Sequence, residues 1–284
     1  MRSSISRRAF LAGGLALGNS LLWMRRSVGT EQILERIHGG GWIRDSVEPK
    51  DKFLITPQFS NPGARPPAVD LSAKMPPVYD QGLVGSCTAN AIAAALQYAR
   101  RVHKKPDDFT PSRLFIYYEQ RKSEDSLDID VGGQLRNGIL SIAKIGVCPE
   151  SDWPYDNVAG DPKTHRFPAN AQALKAPPSD LVKKAGKFRT ISYEPLSQDI
   201  EVLESCIAGG YPFLFGFNVY GKFTEATTAL RMPGPSERTV LWGMLSLLPV
   251  MTKLNACSES VTPGEVLHMS MGILRWITTT FSTQ

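Results

Sequence analysis

The sequence predicts an α+β fold, with helices in its first half and β-strands in its second half. In the first half, apolar residues recur at three- and four-residue spacing over residues 89–102 and 133–145, the pattern of an amphipathic helix. In the second half, residues 211–220 form an apolar run after a Gly209-Gly210 break, which is typical of a strand. With 284 residues, the chain can bury one large core or two modest ones.

The other predicted elements connect these segments. Residues 45–79 carry recurrent prolines and should be extended and rich in loops. A helix is predicted over residues 112–121 with Ser112 in its N-terminal signal, and the helix over 133–145 should stop at Gly146. A polar loop rich in Pro and Lys should then lead to a short strand over residues 191–193 and a helix over 199–208.

The composition is that of an ordinary globular protein and excludes several functional classes. Hydrophobic residues make up 42% of the chain and charged residues 21%. The net charge of +5 comes partly from arginines in the first thirty residues, and basic patches with interleaved aromatics are absent, so no nucleic-acid partner is inferred. The four cysteines are widely and irregularly spaced, which matches neither a disulfide framework nor a zinc site. We therefore predict no metal and no cofactor.

The first thirty residues are predicted to be an export signal. Arg7 and Arg8 precede an apolar stretch of small residues that runs to Trp23, which matches the twin-arginine pattern of the bacterial Tat export machinery. The stretch is short for a membrane span. No Ala-x-Ala site follows it and Arg25-Arg26 come next, so an uncleaved anchor is the alternative. Either way, the predicted location is beyond the bacterial inner membrane.

The segment from Asp80 to Asn90 carries the predicted chemistry. Cys87 stands directly before a helix-forming run, and a helix that begins at its own cysteine directs unpaired N–H groups toward the sulfur, which favours the thiolate. Gln81, six residues earlier, can place a side-chain N–H beside the Cys87 backbone N–H, which gives a two-donor oxyanion hole. The alternative is a buried structural cysteine, which leaves Gln81 and the loop glycines unexplained.

This segment resembles the nucleophile segment of papain-like cysteine peptidases, Gln-Gly-x-x-Gly-Ser-Cys. The similarity runs from about residue 41 to about residue 240 and includes the Trp-Pro-Tyr stretch that begins at Trp153. Val84 stands where many members of the family carry a disulfide cysteine, and Thr88 stands where they carry Trp. Both departures affect packing and cross-linking, and they indicate a bacterial branch.

The resemblance implies a fold, a site and an activity. The fold would be papain-like, with a helical left lobe built on the Cys87 helix and a barrel-like right lobe. The activity would be hydrolysis of peptide bonds, in peptide or protein substrates, through a thioester on Cys87. Gly132 and Gly133 resemble the glycine pair that lets substrate backbone approach the cleft, and a turn before a helix explains them equally well. The predicted domains are a signal or anchor (1–30), an extended segment (31–75), a peptidase domain (76–240) and an aberrant tail (241–284).

The histidine base and its orienting Asn are missing from the sequence as written. In this family they lie in His-Ala-Val and Asn-Ser-Trp-Gly segments, and the 284 residues contain neither segment. His38, His103 and His165 lie upstream or in linkers and are best explained as surface residues, and no Asn follows His268 to orient it. The run from Leu241 to Met251 lacks strand alternation and helix caps, so we expect the right lobe to lack its central strands.

A shift of one nucleotide frame would restore the missing segments. Each shifted codon joins the third base of one codon to the first two bases of the next. Over residues 243–252 the shifted frame permits His-Ala-Val-Ala-Ala-Ala-Gly-Tyr-Asp, and over residues 261–265 it permits Asn-Ser-Trp-Gly. Over residues 271–278 it permits Gly-Tyr-Phe-Thr-Met-Asp-Tyr, and the Met and Trp codons leave no choice at several of these positions. Our hypothesis is that the chain leaves its ancestral frame near Leu241, through a sequence error or an inactivating mutation.

Two other functions stay open from the sequence alone. One is a non-catalytic peptide-binding or remnant protein, which the tail as written favours. The other is a different cysteine acyl transferase, such as a transglutaminase-like enzyme, which the spacing between Gln81 and Cys87 disfavours.

Overall fold

The computed structural model describes residues 41–45, 66, 68–105, 108–189, 192–196, 199–220, 240–248, 250–252 and 274–278. The helices of this part are α1 (Cys87–Val102), α2 (Arg113–Ser123), α3 (Leu135–Ile145), α4 (Ser179–Ala185) and α5 (Ile200–Ala208). The strands are β1 (Trp42–Ile43), β2 (Ala68–Asp70), β3 (Gly133–Gln134), β4 (Ser192–Leu196), β5 (Phe213–Tyr220), β6 (Val240–Leu248), β7 (Val250–Thr252) and β8 (Leu274–Thr278).

Helices α1, α2 and α3 build the helical lobe and its core. Their apolar faces meet around fully buried side chains such as Ile92, Phe115 and Ile139. The Ser112 hydroxyl accepts the Phe115 backbone N–H at 3.2 Å, so the predicted N-terminal signal of α2 is confirmed as its cap. Helix α3 ends at Gly146, whose φ of +90° lies in the region that favours glycine, and the predicted helix stop is confirmed.

The strand-rich lobe contains a four-stranded sheet in the order β4-β8-β5-β6, and its pairs are antiparallel. The predicted strands over residues 191–193 and 211–220 are confirmed as β4 and β5. A second core cluster forms where α5 meets β4 and β5, and its buried members include Leu196, Ile207 and Phe213. In the described part of the chain the sheet is open, with β4 and β6 at its edges.

The expectation that the run from Leu241 to Met251 would not form strands is wrong. The run forms β6 and most of β7, and β6 pairs with β5 from Val240 opposite Tyr220 to Leu248 opposite Phe213. Backbone hydrogen bonds along a ladder do not require alternation of side chains. The missing alternation was therefore weak evidence against a strand.

The prediction of a continuous loop between residue 156 and β4 is also partly wrong, because this segment contains α4. Asp180 lies in the first turn of this helix, and Lys183 and Lys184 lie in its last turn, which suits the helix dipole at both ends. Among its residues, Ala185 is buried. Leu181 and Val182 are partly buried and pack against the same core. A helix of seven residues is too short to show a clear apolar periodicity in the sequence.

The N-terminal pieces pair with distant parts of the chain. Strand β1 runs parallel to β3, with Trp42 opposite Gly133, and β2 pairs antiparallel with β7. No helix in the described ranges is long and apolar enough to cross a membrane. The export signal predicted over residues 1–30 lies outside the described residues.

Candidate active site

Cys87 is the first residue of α1, as the sequence indicates. Its side chain is buried, with 2% of the residue exposed. Ser86 precedes the helix without a side-chain capping bond, and the first turn contains no acidic residue. The N-terminal end of the helix therefore presents its backbone N–H groups without a competing carboxylate in that turn.

The loop before Cys87 is held by its own side chains and by a neighbouring loop. Gln81 donates its side-chain amide N–H to the Val84 carbonyl at 3.2 Å, so the amide group lies within the loop that leads to the cysteine. Gly82 has φ of +57°, and a Cβ there would lie 2.1 Å from the Asn157 side chain, so this turn requires glycine. The Leu83 N–H donates to Asn157 at 2.7 Å, which joins the two loops.

Tyr155 joins the beginning and the end of the nucleophile loop. Its hydroxyl donates to the Gln81 carbonyl at 2.8 Å and lies 2.6 Å from the Ser86 hydroxyl. Asn90, one turn into α1, donates to the Ser86 carbonyl and hydroxyl at 2.9 and 3.0 Å. Burial raises the pKa of Tyr155, so the phenol keeps the proton that it donates. The sequence analysis includes Tyr155 only in the stretch that resembles the family, and it does not predict this role.

Arg113 also stabilises the nucleophile loop. This role was not predicted from the sequence. Arg113 donates to the Asp80 carbonyl at 2.8 Å and to the Asn90 side chain at 3.0 Å. Its guanidinium also pairs with Glu150 at 2.7 Å and stacks 3.8 Å from the centre of the Tyr155 ring. A basic residue directly after a helix cap gives no sequence signal for such a role, because most are solvated.

Gly132 and Gly133 permit a close backbone approach, and here the approaching backbone is the chain's own. The Gly133 N–H donates to the Gly41 carbonyl at 2.9 Å. A Cβ on Gly132 would lie 2.3 Å from the Gly41 backbone, and a Cβ on Gly41 would lie 1.5 Å from the Gly85 carbonyl oxygen. Residue 41 thus runs between the glycine pair and the loop that leads to Cys87. The next residue, Trp42, is buried against Gly216 of β5.

A carboxylate pair lies beside the glycine pair. Glu124 accepts the Gln134 backbone N–H at 2.8 Å and the Asn137 side-chain amide at 2.9 Å. Asp45 accepts the Arg136 backbone N–H at 3.1 Å, at the N-terminus of α3. Burial raises the pKa of Glu124 to about 7; the Asp45 charge adds to this rise, and the two hydrogen bonds and Arg121 oppose it.

The other described thiols and histidines occupy different environments. Burial raises the pKa of Cys148 and of Cys206 to about 12. No disulfide joins the described cysteines. His103 is exposed and caps the C-terminus of α1, so it lies about 24 Å along the helix from Cys87. His165 lies in a left-handed turn, while His38, His268 and Cys257 lie outside the described residues.

Comparisons with known proteins bear on the family and the fold of this chain. No family model matches the chain. It is 37% identical over 168 residues to an uncharacterized peptidase C1-like protein, L477, of Acanthamoeba polyphaga mimivirus, a match that covers 57% of this chain and 51% of the viral protein. The chain thus spans about half the length of that curated relative.

Among solved structures, xylellain, a cysteine protease from Xylella fastidiosa, superposes with a TM-score of 0.75 at 36% identity. The match covers 86% of this chain and 97% of xylellain. A procathepsin B from Trypanosoma congolense shares the fold, with a TM-score of 0.54 at 13% identity over 75% of this chain and 72% of the other.

The chain belongs to the papain-like cysteine peptidase family. The predicted family and the predicted two-lobe α+β fold are therefore confirmed, and the likeness to xylellain fits a bacterial branch.

Proposed function

We propose that the function built into this chain is hydrolysis of peptide bonds, with Cys87 as the nucleophile. The thiolate sulfur attacks the scissile carbonyl carbon, a C–S bond forms, and the carbonyl oxygen becomes an oxyanion. Gln81 and the Cys87 backbone N–H donate to that oxyanion. The intermediate collapses as the C–N bond breaks, the amine leaves with a proton, and water then hydrolyses the thioester.

This proposal rests mainly on one observation: the beginning of α1, the Gln81 loop and the glycine pair lie next to one another. Cys87 begins α1, the Gln81 loop leads into it, and the Gly133 N–H beside that loop donates to the carbonyl of the chain's own Gly41. The bond from Gly133 to Gly41 is the type of contact that an extended peptide makes with an exposed strand edge. It supports the assignment of Gly132 and Gly133 to the binding of peptide or protein substrates, which would take the place that Gly41 occupies in this structure.

The same proposal holds that the chain as written is inactive. Expulsion of the amine needs a proton donor, and the chain lacks the His-Ala-Val and Asn-Ser-Trp-Gly segments that supply the base and its orienting amide in the family. This absence favours, as a second candidate, a non-catalytic peptide-binding or remnant protein on the same fold. No metal and no cofactor enters either proposal.

Cys87 is expected to react faster with iodoacetamide at mildly acidic pH than Cys148, Cys206 or Cys257. The reason is that Cys148 and Cys206 have their pKa raised to about 12 by burial, whereas Cys87 lies at a helix N-terminus. Mass spectrometry of tryptic peptides after timed labelling measures the four rates. Urea-unfolded chain, in which the environments are lost, serves as the control. Equal rates in the folded chain would remove the nucleophile assignment.

We also propose export through the Tat machinery, on the basis of Arg7-Arg8 and the apolar stretch behind them. Lys substitution of both arginines is expected to retain a fused reporter in the cytoplasm of a Tat-competent bacterium. Arg25→Lys with Arg26→Lys keeps the same charge and serves as the matched control. Unchanged export of the Arg7→Lys, Arg8→Lys fusion, measured by fractionation, would contradict the signal.

A further inference from the structure

We propose that Asp130 is a positioning residue that sets the spacing between the Cys87 loop and the peptide-binding glycine pair, a role that rests on the proposed function. One oxygen of its carboxylate accepts the Gly85 backbone N–H at 2.9 Å and the Tyr117 hydroxyl at 2.7 Å. The other oxygen accepts the Gly160 N–H at 3.1 Å. Asp130 is buried, and its bond to Tyr117 is shielded from water.

Tyr117 extends this connection to the glycine pair. Its O–H donates to Asp130, and its oxygen accepts the Gly132 backbone N–H at 3.0 Å. The side chain is fully buried, and burial together with the Asp130 charge raises the pKa of Tyr117 well above its ordinary value. The phenol therefore stays protonated and donates toward the carboxylate. A continuous chain of hydrogen bonds runs from Gly85, through Asp130 and Tyr117, to Gly132.

The two ends of this series of hydrogen bonds lie at the loop that leads to the nucleophile and at the glycine pair proposed to bind the peptide. Gly85 lies two residues before the Cys87 nucleophile, and Gly132 directly precedes Gly133, whose N–H donates to the chain's own Gly41 carbonyl at the proposed substrate position. Attack on a bound peptide requires sulfur and substrate to be aligned, and a misplacement of about 1 Å costs roughly 10²-fold in rate. The described cysteines form no disulfide here, so in this part of the molecule hydrogen bonds make the connection.

Close packing makes the spacing rigid. A Cβ on Gly85 would lie 3.0 Å from the Asp130 carboxylate, and a Cβ on Gly160 would lie 2.7 Å from the Asp130 Cβ. Tyr117 is held in turn by Arg121, whose guanidinium lies 4.3 Å from the centre of its ring. The carboxylate cannot move away from Gly85 without displacing one of these neighbours.

The test compares two reagents on the same thiol. Iodoacetamide reports the reactivity of Cys87 alone, whereas a dipeptidyl chloromethyl ketone also depends on alignment of a peptide with the sulfur. The measured quantity is the ratio of the two alkylation rates at Cys87, by mass spectrometry, relative to the ratio for free glutathione. In the parent chain this ratio should exceed that of glutathione. In Asp130→Asn and in Tyr117→Phe it should fall by about tenfold or more toward the glutathione value.

Asp128→Asn is the matched control. Asp128 lies two residues away and carries the same charge, but its ion pair with Arg166 is exposed, and its variant should keep the parent ratio. Labelling of Cys148 and Cys206 reports loss of the fold. If Asp130→Asn exposes these thiols, Tyr117→Phe, which removes a single oxygen, gives the deciding ratio.

The outcomes separate the two proposals. A parent ratio equal to that of glutathione would contradict the proposed function, and the positioning role would fall with it. A raised parent ratio that is kept in a folded Asp130→Asn or Tyr117→Phe variant would overturn the positioning role and leave the proposed function standing. A raised ratio that is lost in these variants and kept in Asp128→Asn supports both.

Discussion

Restoration of the ancestral reading frame after about codon 241 is expected to convert an inactive chain into a Cys87-dependent peptidase. The chain as written should show no measurable cleavage of peptide substrates, because it lacks the base and the orienting amide. The restored chain regains His-Ala-Val and Asn-Ser-Trp-Gly, and a positioned general base typically contributes about 10²–10⁴-fold to the rate. Hydrolysis of a fluorogenic peptide by the two purified chains measures the difference.

Under the frame hypothesis, the restored histidine would belong to a strand of the sheet. The shifted codon for His spans residues 243 and 244, within β6 and opposite Asn218 and Phe217 of β5. Strand β6 also contacts α1, the helix that begins at Cys87. A histidine carried by this strand therefore lies on an element that already adjoins the nucleophile helix.

Two controls and one observation make this prediction decisive. Cys87→Ala in the restored chain should abolish the regained hydrolysis, whereas Cys206→Ala should leave it, because Cys206 is buried in the other core cluster. The nucleotide sequence around codon 241 must contain the shifted codons, and without them the frame hypothesis fails outright. Cys87-dependent cleavage by the chain as written would place the base elsewhere, with His268 as the first candidate.

The sequence predicted the parts of the fold that rest on local signals. Helix α3 was found from its apolar spacing and Gly146, and α2 from the Ser112 cap, because these determinants lie within a few residues of each other. Strand β6 was missed because its stability comes from pairing with β5, a partner some twenty residues or more away. Helix α4 was missed because its seven residues span too few turns to show an apolar repeat.

The same distinction applies to the candidate site. Cys87 and Gln81 could be proposed as site residues from the sequence because a helix start, a glycine loop and their spacing are all local features. Asp130 and Tyr117 were not, because their roles depend on contacts with Gly85 and Gly132 across sequence separations of 45 and 15 residues. The contact of Gly41 with the glycine pair could not be predicted either, because no pattern around Gly41 indicates which part of the backbone it will contact.

The stability of the fold is expected to fall as pH rises from about 4.5 to about 7, because of Glu124. Its pKa is raised from an ordinary 4.5 to about 7, chiefly by burial. Over this range the unfolded chain loses the proton that the folded chain retains, so the unfolded state gains in relative stability with rising pH. A rise in pKa of this size corresponds to roughly 3 kcal/mol in the free energy of unfolding.

Glu124→Gln should remove this loss of stability with rising pH. At pH 7.5 the free energy of unfolding of the variant should exceed that of the parent by an amount approaching roughly 3 kcal/mol. The Gln side-chain oxygen can still accept the N–H groups of Gln134 and Asn137 that Glu124 accepts, but it carries no charge to face Asp45. Urea unfolding at a series of pH values measures the slope. Asp125→Asn, at an exposed neighbouring residue with φ of +54° that Asn tolerates, is the matched control and should follow the parent. A Glu124→Gln variant with the parent's pH slope would show that Glu124 is ionised throughout and that burial does not govern its charge.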